Sequence, residues 1–216
     1  MSHLTAVEQA ISKYKIFAII RGIASEQMIP TVQSLIDGGI RLLEVTFDHE
    51  GDLTNTLESV RKIRAHFADQ VICGVGTTTT ELQVYEAARA GAQFVVSPNT
   101  DNEIIRLTKM MGMTSIPGAY TPTEIIAARK AGADFIKLFP CGLTGTGYVK
   151  ALTDVLSTVP MIVVGGVSAD NARQFLEAGA VGVGVGSFLV NATLTRSSNY
   201  QEITERCQTI VASLTP

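Results

Sequence analysis

The sequence predicts a (β/α)8 TIM barrel with an extra N-terminal helix, filling residues 1–216 as one domain. Three observations carry that reading. Eight short apolar segments alternate with helical patterns along the chain. Those segments are apolar throughout rather than alternating, as strands covered on both faces are. Four stretches, LIDGGIRLLEVT, AARAGAQFVVS, ARKAGADFIKLFP and FLEAGAVGVGVG, repeat one order of helix end, glycine turn and apolar strand.

The repeat sets the scale. Its glycines, Gly39, Gly91, Gly132 and Gly179, lie 52, 41 and 47 residues apart, which is about two βα units of ~20 to 25 residues each. The strands then fall at 16–20, 42–46, 71–75, 94–97, 114–117, 135–139, 161–165 and 181–185. Between them run patterns such as SEQMIPTVQSLIDG, TPTEIIAARKAG and SADNARQFLEAG. These open on Ser or Thr, the usual N-caps, and close on glycine. A further helix over about residues 4 to 13 precedes the first strand. Strict alternation of this kind builds a parallel barrel. It also allows a doubly wound open sheet.

Composition narrows the class. Apolar residues make up 46% of the 216 and charged residues 17%, which suits a chain with a large buried core. The net charge of −3 is spread without a basic block, which argues against a nucleic-acid partner. No apolar run is long enough to cross a membrane. The opening MSHLTAVEQA is polar and reads as a helix start rather than a signal peptide. Cys73, Cys141 and Cys207 form no CxxC pair or disulfide framework, which fits a reducing cytoplasm. His3, His49 and His66 lack metal-ligand spacing.

The chemistry begins with ADFIKLFP. Catalytic groups of such barrels stand at the C-terminal ends of the strands, and Lys137 lies near the end of the sixth. By alternation Phe135, Lys137 and Phe139 share one face, and Ile136 and Leu138 the other. A strand-end lysine commonly snorkels to water, but here the flanks are apolar. Desolvation disfavours the charged form of an amine and draws its pKa from about 10.4 toward about 7 to 8. A partly neutral amine is a nucleophile toward ketones and forms Schiff bases. Glu44, inside LLEVT, puts a carboxylate in a segment that reads as buried. A structural ion pair with Lys137 is one use for it, although such pairs stabilise little. Moving protons for the amine is another.

Further candidates sit at other strand ends. Arg21 closes AIIRG and Thr77 follows GVG; both are placed to meet an anion at the barrel mouth. Gly165 and Gly166 end the seventh strand, and Gly186 and Ser187 the eighth. Barrels often hold phosphate on backbone N–H groups there, beside a short helix that SFLVN would start. Cys141 follows Pro140 at the mouth and reads as a small filler. His49, just past the second strand, is a candidate for assisting proton transfer.

LLEVT, GVGT, VSPN, SIPGAYTPTE, FIKLFP, VVGGVS and VGVGS occur in the order and spacing of a known family. Over about residues 7 to 213 the chain resembles the lysine-dependent aldolases of the 2-keto-3-deoxy-6-phosphogluconate (KDPG) and 4-hydroxy-2-oxoglutarate (KHG) type. The resemblance implies a barrel, typically homotrimeric and cytoplasmic, that uses no metal and no cofactor. It implies that Lys137 is the Schiff-base lysine and Glu44 the proton-shuttling carboxylate. Thr77 would hold the substrate carboxylate, and Pro98 and Phe139 would wall the pyruvate pocket. Gly165, Gly166, Gly186 and Ser187 would bind phosphate, and Arg21 matches an arginine found on the first strand of some members. Two positions depart from the phosphogluconate pattern. Asp48 stands where many members carry a substrate-binding arginine, and Val164 where a threonine often precedes the Gly-Gly pair. Both bear on the part of the substrate beyond pyruvate.

The expected reaction is cleavage of a 2-oxo acid, phosphorylated or plain, to pyruvate and an aldehyde, either glyceraldehyde 3-phosphate or glyoxylate. Two other classes share parts of the pattern. A phosphosugar isomerase or epimerase would use the same glycine pairs without an imine. A non-catalytic phosphate-binding barrel would keep Lys137 and Glu44 as a structural ion pair.

Overall fold

A computed structural model describes residues 5–48 and 52–214. In chain order the elements are α1 (Ala6–Tyr14), β1 (Ile16–Ile20), α2 (Met28–Asp37), β2 (Leu42–Thr46), α3 (Thr54–Phe67), β3 (Ile72–Gly76), α4 (Glu81–Ala90), β4 (Phe94–Val96), α5 (Asn102–Met110) and β5 (Thr114–Ile116). There follow β6 (Gly118–Ala119), α6 (Pro122–Ala131), β7 (Ile136–Leu138), α7 (Gly145–Val155), β8 (Met161–Val164), α8 (Ala172–Glu177), β9 (Gly182–Val185), α9 (Ala192–Arg196) and α10 (Tyr200–Leu214). All paired strands are parallel, in the order β5-β4-β3-β2-β1-β9-β8-β7-β6.

Pro117 explains the ninth strand. It has no N–H and interrupts the ladder, so the expected fifth strand is two pieces. β5 pairs with β4 before the proline, and β6 pairs with β7 after it. The Pro117 carbonyl still accepts from the Lys137 N–H at 2.8 Å. The chain therefore wraps round to a barrel and not to the open doubly wound sheet.

The repeat glycines do the same job each time. Gly39, Gly91, Gly132 and Gly179 adopt φ of 95°, 90°, 109° and 100°, a left-handed conformation that costs glycine nothing. Thr5, Thr80 and Thr121 each form a capping box with the residue three on. Ser25 and Ser168 do not cap helices. Ser25 opens a short 3-10 turn ahead of α2, and Ser168 lies ahead of α8, where its N–H donates to Asn171. α1 starts at Ala6 and ends at Tyr14, slightly later than the sequence suggests.

Side-chain alternation divides the core in two. Ala18, Leu43, Val45, Val75, Ile136, Leu138 and Val163 face the helices. Phe17, Ile19, Leu42, Phe94, Val96, Phe135, Ile162 and Val164 fill the barrel interior. Val7, Ala10 and Ile11 of α1 join that inner cluster. α1 is thus the floor of the barrel, and the opposite end is left for a site.

Candidate active site

The C-terminal ends of the strands open into a cleft of about 810 Å³. Strand alternation aims Lys137 into it, between Gly118 of β6 and Ile162 of β8. The side chain is only 5% exposed, so it does not snorkel. Its Nζ stands 5.0 Å from the centre of the Phe139 ring, within range of the π face.

Glu44 lies beneath the cleft, fully buried on β2. Burial raises its pKa above the ordinary 4.5, against the opposing fields of Lys137 and Arg21. Neither carboxyl oxygen has a hydrogen-bond partner, and Glu44 forms no ion pair with Lys137 or Arg21. That disfavours the structural ion pair, because a buried charge kept for structure is held by close partners. An orphaned carboxyl with a raised pKa, facing an amine across a cleft floor, can hold a proton to give and, once ionised, take one back.

The other sequence-predicted residues converge on the same cleft. Arg21, Thr77, Pro98 and Phe139 all line it. Thr77 holds φ of 59°, a rare state for a β-branched residue. Such strain collects where the backbone serves a site. Gly165 and Gly166 follow β8 with φ of 91° and 70°, and Gly186 and Ser187 follow β9; all four line the cleft. Gly166 is also required for space, since a Cβ there would lie 2.7 Å from the Gly142 Cα.

Some expectations are corrected. SFLVN does not start the short helix. Residues 187–189 form a turn, in which Leu189 and Val190 donate to the Gly186 carbonyl. α9 begins four residues past Phe188, at Ala192, capped by Asn191. Cys141 does not line the cleft. It is buried, its Sγ 3.2 Å from the Leu138 carbonyl, and burial pushes the thiol up to about 12. It is a filler. His49 lies outside the described residues.

The sequence reading also missed Gln83 and Asn191, which line the cleft. Gln83 sits three residues past Thr80, and its Oε1 accepts from the Thr79 and Thr80 N–H groups at 2.7 and 3.1 Å. The signal for Gln83 is the capping-box spacing, a Thr followed three residues on by Gln. Asp48 lines the mouth, exposed. Among the described residues no cluster of His, Cys, Asp and Glu could hold a metal ion.

A parallel barrel with a buried lysine and an unpaired carboxyl at its open end defines a lyase that works through a Schiff base. Comparison with known proteins agrees and is more specific. The model of the KDPG and KHG aldolase family matches residues 7–206. The 2-dehydro-3-deoxy-6-phosphogalactonate aldolase of Escherichia coli (strain K12) is 36% identical over 182 residues, 84% of this chain and 87% of that protein. The 2-dehydro-3-deoxy-phosphogluconate aldolase of Treponema pallidum (strain Nichols) is 31% identical over 209 residues, 95% of this chain and 96% of that protein. A KDPG aldolase from Legionella pneumophila, with pyruvate captured at low pH as a covalent carbinolamine, superposes with a TM-score of 0.84 at 26% identity. That match covers 93% of this chain and 96% of that one. The chain belongs to the KDPG and KHG aldolase family and is a class I aldolase. No helix among the described residues is long and apolar enough to cross a membrane.

Proposed function

We propose that the chain cleaves a 2-keto-3-deoxy-6-phosphohexonate of galactonate configuration to pyruvate and glyceraldehyde 3-phosphate. The observation that carries the chemistry is the pairing of a buried Lys137 with an orphaned, fully buried Glu44. Neutral Lys137 Nζ adds to the C2 ketone. The hydroxyl formed there leaves as water with the proton that Glu44 supplies, which leaves an iminium. Glu44, now a carboxylate, takes the proton of the C4 hydroxyl. The C3–C4 bond breaks, its electron pair enters the iminium to give an enamine, and the aldehyde departs. Glu44 returns the proton to C3, and water hydrolyses the pyruvate iminium to free neutral Lys137, the proton released going back to Glu44. Arg21 and Thr77 hold the substrate carboxylate so that C2 faces the amine.

Three observations support the substrate. The φ-positive glycines after β8 and the turn after β9 line the cleft where barrels bind phosphate. Asp48 follows β2, which β1 and β9 separate from β8. It is therefore removed from the Gly165–Gly166 pair, yet its charge disfavours a substrate with a second carboxylate, such as 4-hydroxy-2-oxoglutarate. Val164 lacks the hydroxyl of the phosphogluconate pattern, and the Escherichia coli relative named above acts on the galactonate epimer. The proposal extends to a homotrimer, as the family resemblance implies. Three free cysteines support a cytoplasmic location.

Pyruvate release from both phosphohexonate epimers and from 4-hydroxy-2-oxoglutarate tests the assignment. The galactonate epimer should lead by at least ~10-fold in kcat/KM, a difference that one or two pocket contacts supply. Highest turnover on 4-hydroxy-2-oxoglutarate, or no borohydride-trapped pyruvate adduct on Lys137, would overturn it.

A further inference from the structure

Glu44 has no partner to hold it, so something other than a hydrogen bond must fix where its carboxyl sits. The neighbouring strand supplies the answer. β2 and β3 run in register, Glu44 beside Gly74 and Thr46 beside Gly76. A Cβ built on Gly76 would lie 1.8 Å from Glu44 Oε1, 2.4 Å from Cδ and 2.6 Å from Cγ. Three successive atoms of the glutamate therefore occupy the volume where any other residue would carry its first carbon. Gly76 does not adopt a left-handed φ, so conformation does not require glycine there; space does. Gly74, two residues earlier on the same strand, is bare for a related reason, since its Cβ would lie 2.4 Å from the Phe94 carbonyl oxygen and 2.5 Å from the Phe94 ring. β3 thus carries two sockets, one filled by an aromatic ring and one by a carboxyl.

We infer that Gly76 is a positioning residue for the aldol reaction: its bare Cα is the seat against which the Glu44 carboxyl is pressed, and it sets the reach of that carboxyl toward Lys137. The inference rests on the reading of Glu44 given above. The atoms in the way belong to the end of a flexible side chain and not to backbone. An added methyl group is accommodated by swinging the carboxyl out of its seat toward the cleft, with the fold intact. The charged groups facing Glu44 are Lys137 and Arg21, so the displaced carboxyl moves within their field and closer to cleft water.

The test is a cycle of Gly76→Ala, Glu44→Asp and the pair, with Glu44→Gln as reference. Gly76→Ala should lower kcat by about 10- to 100-fold with KM changed less than about threefold, as misplacement of a reacting group does. The limb of its pH profile that Glu44 sets should move to lower pH, because the carboxyl gains solvent and burial is what raises its pKa. Glu44→Asp alone should also lose activity. The pair should regain at least about tenfold over Gly76→Ala, since a side chain one methylene shorter fits beside the new methyl. Wild-type kcat and pH profile in Gly76→Ala, or losses in the pair that simply add, would overturn the inference. Full activity in Glu44→Gln would instead break the assignment of Glu44 itself. Should Gly76→Ala fail to fold, Gly76→Ala/Glu44→Ala empties the seat and should fold with the wild-type Tm. If that pair also fails, the glycine serves the backbone and the inference is lost.

Discussion

At the floor of the barrel, Phe17 and Phe94 meet edge-on with ring centres 6.4 Å apart. Gly74 and Gly184 leave the rings room, and Leu42 and Phe135 fill the rest. Two residues further along the same strands, Leu42 gives way to Glu44 and Phe135 to Lys137. The floor is apolar, interlocked and closed by α1. The open end holds two buried ionisable groups that do not close on each other. One scaffold supports both because its strands alternate with a period of two and each strand gives a residue to each layer. The packing below offsets the cost of the desolvated carboxyl above, so the two ends should respond to substitution in opposite ways.

The sharpest contrast comes from Lys137→Met. It should abolish turnover by at least ~10⁴-fold and remove the borohydride-trapped pyruvate adduct, while leaving Tm close to wild type. Phe94→Ala should do the reverse. It removes a fully packed ring, costs about 3–5 kcal/mol and should lower Tm by roughly 10 °C. kcat per folded molecule, from active-site titration, should hold. A large kcat loss in Phe94→Ala would show that the two layers are not separable.

Glu44→Gln sits between them and should move the two quantities in opposite senses. kcat should fall about 10²- to 10³-fold. Stability should rise, and the sign follows from the raised pKa. Below about pH 4.5 the carboxyl is protonated folded or unfolded, and it contributes no difference. As pH rises above 4.5 the unfolded chain releases the proton while the folded chain keeps it, so the wild type loses stability up to its raised folded pKa. The variant lacks that loss. Its advantage in Tm should vanish toward pH 4.5 and grow as the pH rises above it. Thermal melts at several pH values check this. The smallest effect is expected away from both layers. Thr121→Ala removes the cap of α6, whose Oγ accepts from Glu124 N–H at 3.3 Å. It should cost ~1 kcal/mol with kcat unchanged.

The lysine, the carboxylate and the glycine loops were legible because each breaks a local rule: a charge inside an apolar strand, or glycine where a turn must approach a ligand. The strand break at Pro117 was visible as a residue but not as an event. Whether a proline ends a strand or only divides it depends on which neighbours pair on either side, here β4 and β7. Gln83 was hidden because its helix-capping role accounts for its identity fully. Only the loop geometry shows that it also braces Thr79 and Thr80 beside the cleft.

By itself the sequence determined the alternation of strand and helix, the glycine turns and the residue types available for imine chemistry, because these follow from short-range backbone preference and apolar periodicity. Only the tertiary structure decided that Glu44 stands unpaired, that it rests on Gly76, and that Cys141 is withdrawn from the cleft. The first two depend on how side chains pack between neighbouring strands and the third on how the turn after β7 folds inward, and no local pattern encodes a spacing of that kind.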